Sequence, residues 1–283
     1  MGAGAALAGQ GWQVDVQSSE SQGHGTALAR EAAAQGADVI FACGGDGTLN
    51  EVINGVAGTE AAAGVIRAGM GNVFAKEIGV PWSPERALSA LTEGEVRRFD
   101  LGWADGRAFL LMAGVGLDAL AVKHTPFWLK RRVGSAALII QGLRELPAYR
   151  SRRVALRLNG VEQEADLYWL LLGNTRSYGG VINIASGALA DDGLLDAYVY
   201  VGRSLPRLLT TAMRIAAGRA ATGGGVRFER VKSLELMTPG LAVQVDGEYI
   251  GETPMRFSVE RQALPVLLPR GQGRQLLGEI SNK

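Results

Sequence analysis

The sequence predicts an α/β N-terminal domain on a parallel sheet, followed by a β-rich, antiparallel, sandwich-like domain. Three observations carry this. Strand and helix patterns alternate through residues 12–93, which calls for parallel strands joined by crossover helices. Beyond about residue 95 the chain turns to alternating strands joined by Asp-Gly and Asn-Gly pairs, the strongest short hairpin signal. Hydrophobic residues make up 47% of the 283 and charged residues 20%, enough apolar material for two modest domains. The boundary falls near residues 95–103, giving domains of 1–100 and 101–283, with the last residues packing back on the first.

The elements follow in order. "WQVDV" (Trp12–Val16) reads as a short strand. "TALAREAAAQG" reads as a helix from Thr26, with Gly36 at its C-cap. "ADVIFA" (Ala37–Ala42) is a short apolar run ending at glycines, hence a buried strand. "LNEVINGVA" places Leu49, Val52, Ile53 and Val56 on one helical face. "AAAGVIRAG" repeats the strand signal, and "NVFAKEIG" is a short helix before Pro81. "SPERALSALTEG" opens a helix with Ser83 as N-cap and Pro84 in the first turn. Hairpins then centre on Asp105-Gly106 and Asn159-Gly160. "DAYVYV", "RFERVKSLELMT", "LAVQVDGEYI" and "MRFSVE" are further strands, interrupted by helices at about Lys130–Leu146 and Ser204–Gly218.

Composition narrows the function. Formal charge is +1, so no strong electrostatic case exists for nucleic acid. Cys43, the one cysteine, cannot form an internal disulfide and fits a reducing compartment. The apolar runs fall far below a membrane span, and "MGAGAALAGQG" lacks the basic start and apolar core of a signal peptide. A cytoplasmic chain is expected.

Chemistry concentrates in "ACGGDGTLNEVINGVAG" (Ala42–Gly58). Its glycines stand between a buried strand and a helix start, where unpaired amides and the positive end of the helix dipole attract anions. Glycine lets the backbone approach a phosphate closely. The loop is neither a Walker A loop, since no Lys follows, nor a GxGxxG fingerprint. Asp46 would repel an anion, so it makes sense as a holder of metal or an aligner of a donor. A plain capped turn would need fewer glycines.

"GGDGTLNEVINGV" resembles the signature of the diacylglycerol kinase catalytic-domain family, which includes sphingosine and ceramide kinases and bacterial lipid kinases. NAD kinases and phosphofructokinases share its core loop, so the resemblance implies an NAD kinase-like fold. "SSESQGHGTALA", "GVIRAGMGNVFAKEIGVP", "LADDGLLDAYV" and "VQVDGEYIGETP" resemble four further family segments, in family order. The resemblance implies an ATP-dependent kinase acting on a lipid hydroxyl, with Mg²⁺. It implies ATP contacts at Ser19, at Gly44, Gly45, Asp46, Gly47, Thr48, Leu49, Asn50 and Glu51, and at Gly69, Met70, Gly71 and Asn72. Leu189, Asp192 and Leu194 match positions that hold a structural Mg²⁺, two of them through carbonyls. Asp246 and Glu248 match the proposed catalytic acids. On residues alone, "DDGLLD" and "VDGEY" are ordinary turns, and only the resemblance raises them to sites.

The general base is left between Asp246 and Glu248, with the shorter, stiffer Asp246 favoured and Asp46 orienting metal or acceptor. His24 is read as a loop contact near the nucleotide. Four positions depart from the family: Ser19 for Thr, Met70 for Thr, Arg67 for Pro and Val73 for Asp. The family also opens with a strand and an Asn-Pro-x-Ser-Gly loop. Here "MGAGAALAGQGWQVDV" reads as the tail of the next helix, so that strand and loop are expected to be missing. A non-catalytic nucleotide- or lipid-binding protein and an NAD kinase-like enzyme stand as alternatives. "VKHTPFWLKRRVG" offers Phe127 and Trp128 beside Lys130, Arg131 and Arg132, a pattern that suits either peripheral contact with an inner membrane surface or a solvated helix start with both aromatics tucked into the core. A homodimer is left open.

Overall fold

In a computed structural model, the structure describes residues 7–9, 11–126, 128, 129, 132, 134, 136–178, 182, 183, 187–201, 210 and 225–278. The N-terminal part alternates α1 (His24–Ala34), β1 (Val39–Gly44), α2 (Asp46–Val56), β2 (Ala62–Arg67), α3 (Val73–Glu77) and α4 (Pro84–Thr92). Strands β1 and β2 pair in parallel from Val39↔Ala62 to Gly44↔Arg67. The crossover between them is α2, whose Leu49, Val52, Ile53 and Val56 are buried as their spacing requires. Ser83 caps α4, accepting a hydrogen bond from the Arg86 N–H with Pro84 in the first turn.

The β-rich part follows: β3 (Glu95–Ala104), β4 (Arg107–Phe109), β5 (Met112–Gly116), α5 (Leu117–His124), α6 (Ala136–Glu145), β6 (Arg152–Leu158) and β7 (Val161–Gly173). After the two-residue strands β8 (Ser177–Tyr178) and β9 (Ile182–Asn183) come β10 (Leu195–Val201), β11 (Val226–Val231), β12 (Ser233–Leu236), β13 (Ala242–Val245), β14 (Glu248–Glu252) and β15 (Met255–Leu268). The hairpins β3–β4, β6–β7 and β13–β14 turn at Asp105-Gly106, Asn159-Gly160 and Asp246-Gly247. All six turn residues have positive φ, from 42° to 87°, the left-handed pair that matches the twist of the flanking strands.

Strand β15 joins the two parts. Its first half pairs with β12, and its whole length runs antiparallel to β3. Its end pairs in parallel with β2 at Val266↔Ala63. One core therefore runs through both parts, with Leu264, Val266 and Leu268 of β15 packed among Ile53, Val65 and Phe74. A second core fills the β-rich part around Phe109, Leu170, Val243 and Phe257. The break in β15 at residues 261–263 is held by Asp100, fully buried on β3, which accepts the Gln262 N–H at 2.7 Å.

Two expectations change. Trp12–Val16 is extended but joins no ladder among the described residues. Its alternation is real, since Trp12 and Val14 pack beside Leu7, Ile66 and Leu88, but no neighbouring strand edge meets its amides. Of the helix expected at about Lys130–Leu146, α6 covers Ala136–Glu145 and Arg132 is also helical, while residues 130, 131, 133 and 135 lie outside the described residues; the one expected at Ser204–Gly218 lies outside them except for Thr210. No helix of the described residues is long and apolar enough to cross a membrane.

Candidate active site at the meeting of two loops and the Asp-Gly-Glu hairpin

Two glycine loops lie back to back. A Cβ on Gly69 would sit 2.4 Å from the Cα of Gly45, so only hydrogen at Gly69 lets the backbones meet. Gly45 is the N-cap of α2 and offers no side-chain cap, which leaves the first-turn amides for an anion. Asp46 pins the loops together: its Oδ1 accepts the Val73 N–H at 2.7 Å, at the start of α3. Burial raises its pKa, and the amides of Val73, Phe74 and Asn72, with Lys76, pull against that. Asn72, at φ 47°, closes its own loop by accepting the Gly69 N–H at 3.2 Å and donating to the Gly69 carbonyl.

Several residues expected at the nucleotide instead build the frame. Leu49 is in the core, and its N–H already bonds the Gly45 carbonyl. Glu51 turns to α1, accepting the N–H groups of Gly23 at 2.7 Å and Gly25 at 2.9 Å. Asn50 is buried and donates to Asp246 Oδ2 at 2.9 Å and to the Ala108 carbonyl at 3.1 Å. Ser19 and Met70 are exposed, Thr48 lies against Gly44, and Gly71 lies beside Asp46 Oδ2. His24 accepts the Glu20 N–H through Nδ1 at 3.1 Å, a loop-closing contact.

The hairpin separates the two acids. Asp246 accepts four hydrogen bonds at 2.9 Å: Leu111 N–H and Met112 N–H on Oδ1, Leu110 N–H and Asn50 Nδ2 on Oδ2. A carboxylate has about four lone-pair sites, and these donors fill them. Burial raises the Asp246 pKa, opposed by those same donors, which can only donate. Asp246 thus turns from the base role expected of it to that of an anchor tying β13–β14 to the β4–β5 connection. Glu248 instead points at the loop. Its Oε2 accepts from Arg107 Nη2 at 2.9 Å, and a Cβ on Gly47 would lie 3.0 Å from its Oε1. Oε1 takes no hydrogen bond among the described residues.

Three contributors carried little signal in the sequence. Arg107 reads as one polar strand residue, yet its Nη2 bridges Asn50 Oδ1 at 2.7 Å and Glu248. Asn54, one turn beyond Asn50, both accepts from Ala108 N–H at 2.9 Å and donates to the Ala108 carbonyl at 3.1 Å, standing in for a strand neighbour of β4. Buried Gln244 accepts the Gly247 N–H at 2.9 Å and donates to Asp118 Oδ2 at 3.1 Å, bracing the turn from below. Burial pushes the Asp118 carboxyl up to about 6, with the Gln244 bond opposing. The i, i+4 spacing of Asn50 and Asn54 is the only one of these features visible in one segment.

The "DDGLLD" corner holds four acids. Asp192 Oδ1 accepts the Leu194 N–H at 3.0 Å, and Asp100 Oδ2 accepts the Gly193 N–H at 2.6 Å. Burial raises the pKa of Asp100, Asp192 and Asp196, and their mutual proximity adds to it. Arg230 lies 3.3 Å from Asp196 and 3.8 Å from Asp192, while buried Asp196 Oδ2 has no hydrogen-bond partner among the described residues. No three acid, His or Cys side chains among the described residues are arranged to hold a metal. A hard cation would therefore need the Leu189 and Leu194 carbonyls beside Asp192, and the surplus negative charge fits one.

The two parts match two family models: residues 3–104 the diacylglycerol kinase catalytic domain, and residues 112–268 the YegS C-terminal NAD kinase beta sandwich-like domain. A Pseudomonas putida protein named as a YegS-like lipid kinase is 33% identical over 269 residues, 94% of this chain and 88% of that protein. The chain belongs to the diacylglycerol kinase and YegS-like lipid kinase family. A Bacillus anthracis protein assigned as a diacylglycerol kinase has the same fold, with TM-score 0.76 at 23% identity over 90% of this chain and 84% of that one. The kinase family's likeness to NAD kinase extends to an Archaeoglobus fulgidus NAD kinase solved with ATP, TM-score 0.53 at 16% identity over 96% and 90% of the two chains.

Proposed function

We propose that the chain transfers the γ-phosphoryl group of ATP to a lipid hydroxyl, diacylglycerol-like or sphingoid, with Glu248 as general base. The observation that carries this is Glu248 itself: Arg107 fixes one carboxylate oxygen, and the other faces Gly47 at the uncapped start of α2. Loop amides would hold the phosphates, and Asp46 keeps the two loops in register. The acceptor hydroxyl gives its proton to Glu248 Oε1 as its oxygen bonds the γ-phosphorus, and the bond to the departing ADP oxygen breaks. Mg²⁺ at Leu189, Asp192 and Leu194 would neutralise the acidic corner and stiffen its turn. The lipid acceptor implies contact with a membrane surface, to which Trp128 and Arg132 contribute; Phe127, Lys130 and Arg131 lie outside the described residues.

Labelled ATP incubated with mixed micelles of diacylglycerol, sphingoid base and phospholipid tests this. A labelled lipid product is expected from the wild type and not from Glu248→Gln. ATP binding without any labelled lipid would favour the non-catalytic reading.

A further inference from the structure

Helix α6 is amphipathic the wrong way round for a helix that serves only to fill a core. Its inward residues are mostly small or polar, with Leu138 half-buried among them. Ala137 is buried, and a Cβ on Gly142 would lie 3.8 Å from Ala121 of α5. Gln141 donates to Glu145, whose Oε1 also meets His124 at 2.8 Å. The large aliphatics face out: Ile139 is 44% exposed, Ile140 38% and Leu143 58%, at the i, i+1 and i+4 positions of one stripe. Trp128, 59% exposed, precedes them in the same arm. A stripe of this kind marks an interaction surface, since a chain with no use for it would place those residues inward.

Charge selects the occupant. Residues 119–150 carry six Lys or Arg against one acid, Glu145, a net +5 in a chain whose total is +1. Arg132, Arg144 and Arg150 are exposed among the described ones. Exposed aliphatics in a segment with surplus cations match an anionic bilayer, which supplies hydrocarbon behind phosphate. The head of the arm adjoins the candidate site: a Cβ on Gly134 would lie 3.8 Å from Met70 Cβ in the second glycine loop.

We infer that α6 lies flat on an anionic lipid bilayer, with Ile139, Ile140 and Leu143 inserted and the flanking arginines at headgroup level, holding the phosphoryl site at the membrane surface. This rests on the lipid kinase reading for its purpose, but its test does not.

The whole chain is sedimented with phosphatidylglycerol–phosphatidylcholine vesicles and with pure phosphatidylcholine. Binding is expected to the anionic vesicles and to weaken in high salt. Ile139→Ser with Leu143→Ser is expected to cut partition by about tenfold or more. Val161→Ser, at an aliphatic 67% exposed on the β6–β7 hairpin, is expected to change nothing. A bimane on Leu143→Cys, in a Cys43→Ser background, is expected to shift blue on anionic vesicles. Unchanged binding by the double variant, or an unshifted bimane, overturns the inference. So does a dimer that the double variant dissolves while vesicle binding persists, since the stripe would then cover a second copy. If docking behaves as expected and no lipid is phosphorylated, the docking surface stands and the kinase reading falls.

Discussion

Glu248 and Asp246 sit two residues apart and do different work because of what surrounds each carboxylate. Asp246 faces four donors; Glu248 keeps one oxygen open beside Gly47. Glu248→Gln is therefore expected to cut kcat by about 10²-fold or more with little change in melting temperature. Asp246→Asn should act on stability instead, because its new NH₂ faces two donors. Each stranded donor costs about 1–3 kcal/mol, so denaturant unfolding should show a loss of about 2–6 kcal/mol. If Asp246→Asn keeps full stability but loses turnover, the roles are reversed. Asp118 gives a pH signature. Its carboxyl is held at about 6 in the fold, against an ordinary value near 4. A carboxyl raised on folding stabilises the fold below its unfolded pKa, and that contribution is lost as pH rises through the folded value, here about 3 kcal/mol between pH 4 and somewhat above 6. Asp118→Asn removes the titration while its Oδ1 still accepts from Gln244. The stability difference between variant and wild type should therefore move in the variant's favour from pH 4 to pH 8; a flat difference refutes the assignment.

At the scale of elements, α2 is the part whose sequence does the most. One face of it is core, through Leu49, Val52, Ile53 and Val56. Its start has no side-chain cap, and its polar flank grips β4 through Asn50 and Asn54. Apolar periodicity exposed the first of these and the glycines the second. The third stayed hidden, because an asparagine at helical spacing reads as surface until a strand is seen against it. Helix α3 depends on α2 in turn, since Asp46 satisfies the Val73 N–H. Asp46→Ala is expected to loosen the second glycine loop. Phosphoryl transfer should fall by at least about 10²-fold while the far-ultraviolet circular dichroism stays native, since a 1 Å misplacement of the phosphate frame is enough for that. Wild-type turnover from a folded Asp46→Ala protein would remove Asp46 from the site.

Across the whole molecule, the acidic corner and β15 hold the two parts together. Asp100 reaches both the Gly193 turn and the Gln262 break, so the corner and β15 share one buried carboxylate. A cation bound there should be felt globally. Mg²⁺ is expected to raise the melting temperature over EDTA, and Asp192→Ala to abolish that difference. Equal melting in Mg²⁺ and EDTA for the wild type would show that Arg230 alone balances the acids. The pairing of β15 with β2 was not legible as a pattern. "MRFSVE" alternates and announces a strand, but the residues beyond it carry a proline and an unbroken apolar run, and their partner lies about two hundred residues upstream.

The sequence by itself determined what depends on neighbours along the chain. Helical spacing made α2, Asp-Gly and Asn-Gly pairs made three left-handed turns, and glycines before a helix left its first turn without a side-chain cap. Those outcomes follow from backbone sterics and periodicity, which act over a few residues. Tertiary structure decided what depends on residues far apart. It decided which carboxylate keeps an open lone pair, because Asp246 is filled by Leu110, Leu111, Met112 and Asn50, up to 196 residues away. It left Trp12–Val16 unpaired, because a strand exists only where another edge meets its amides. It also left Ile139, Ile140 and Leu143 of α6 exposed, because the side turned to α5 carries Gly142, close to Ala121.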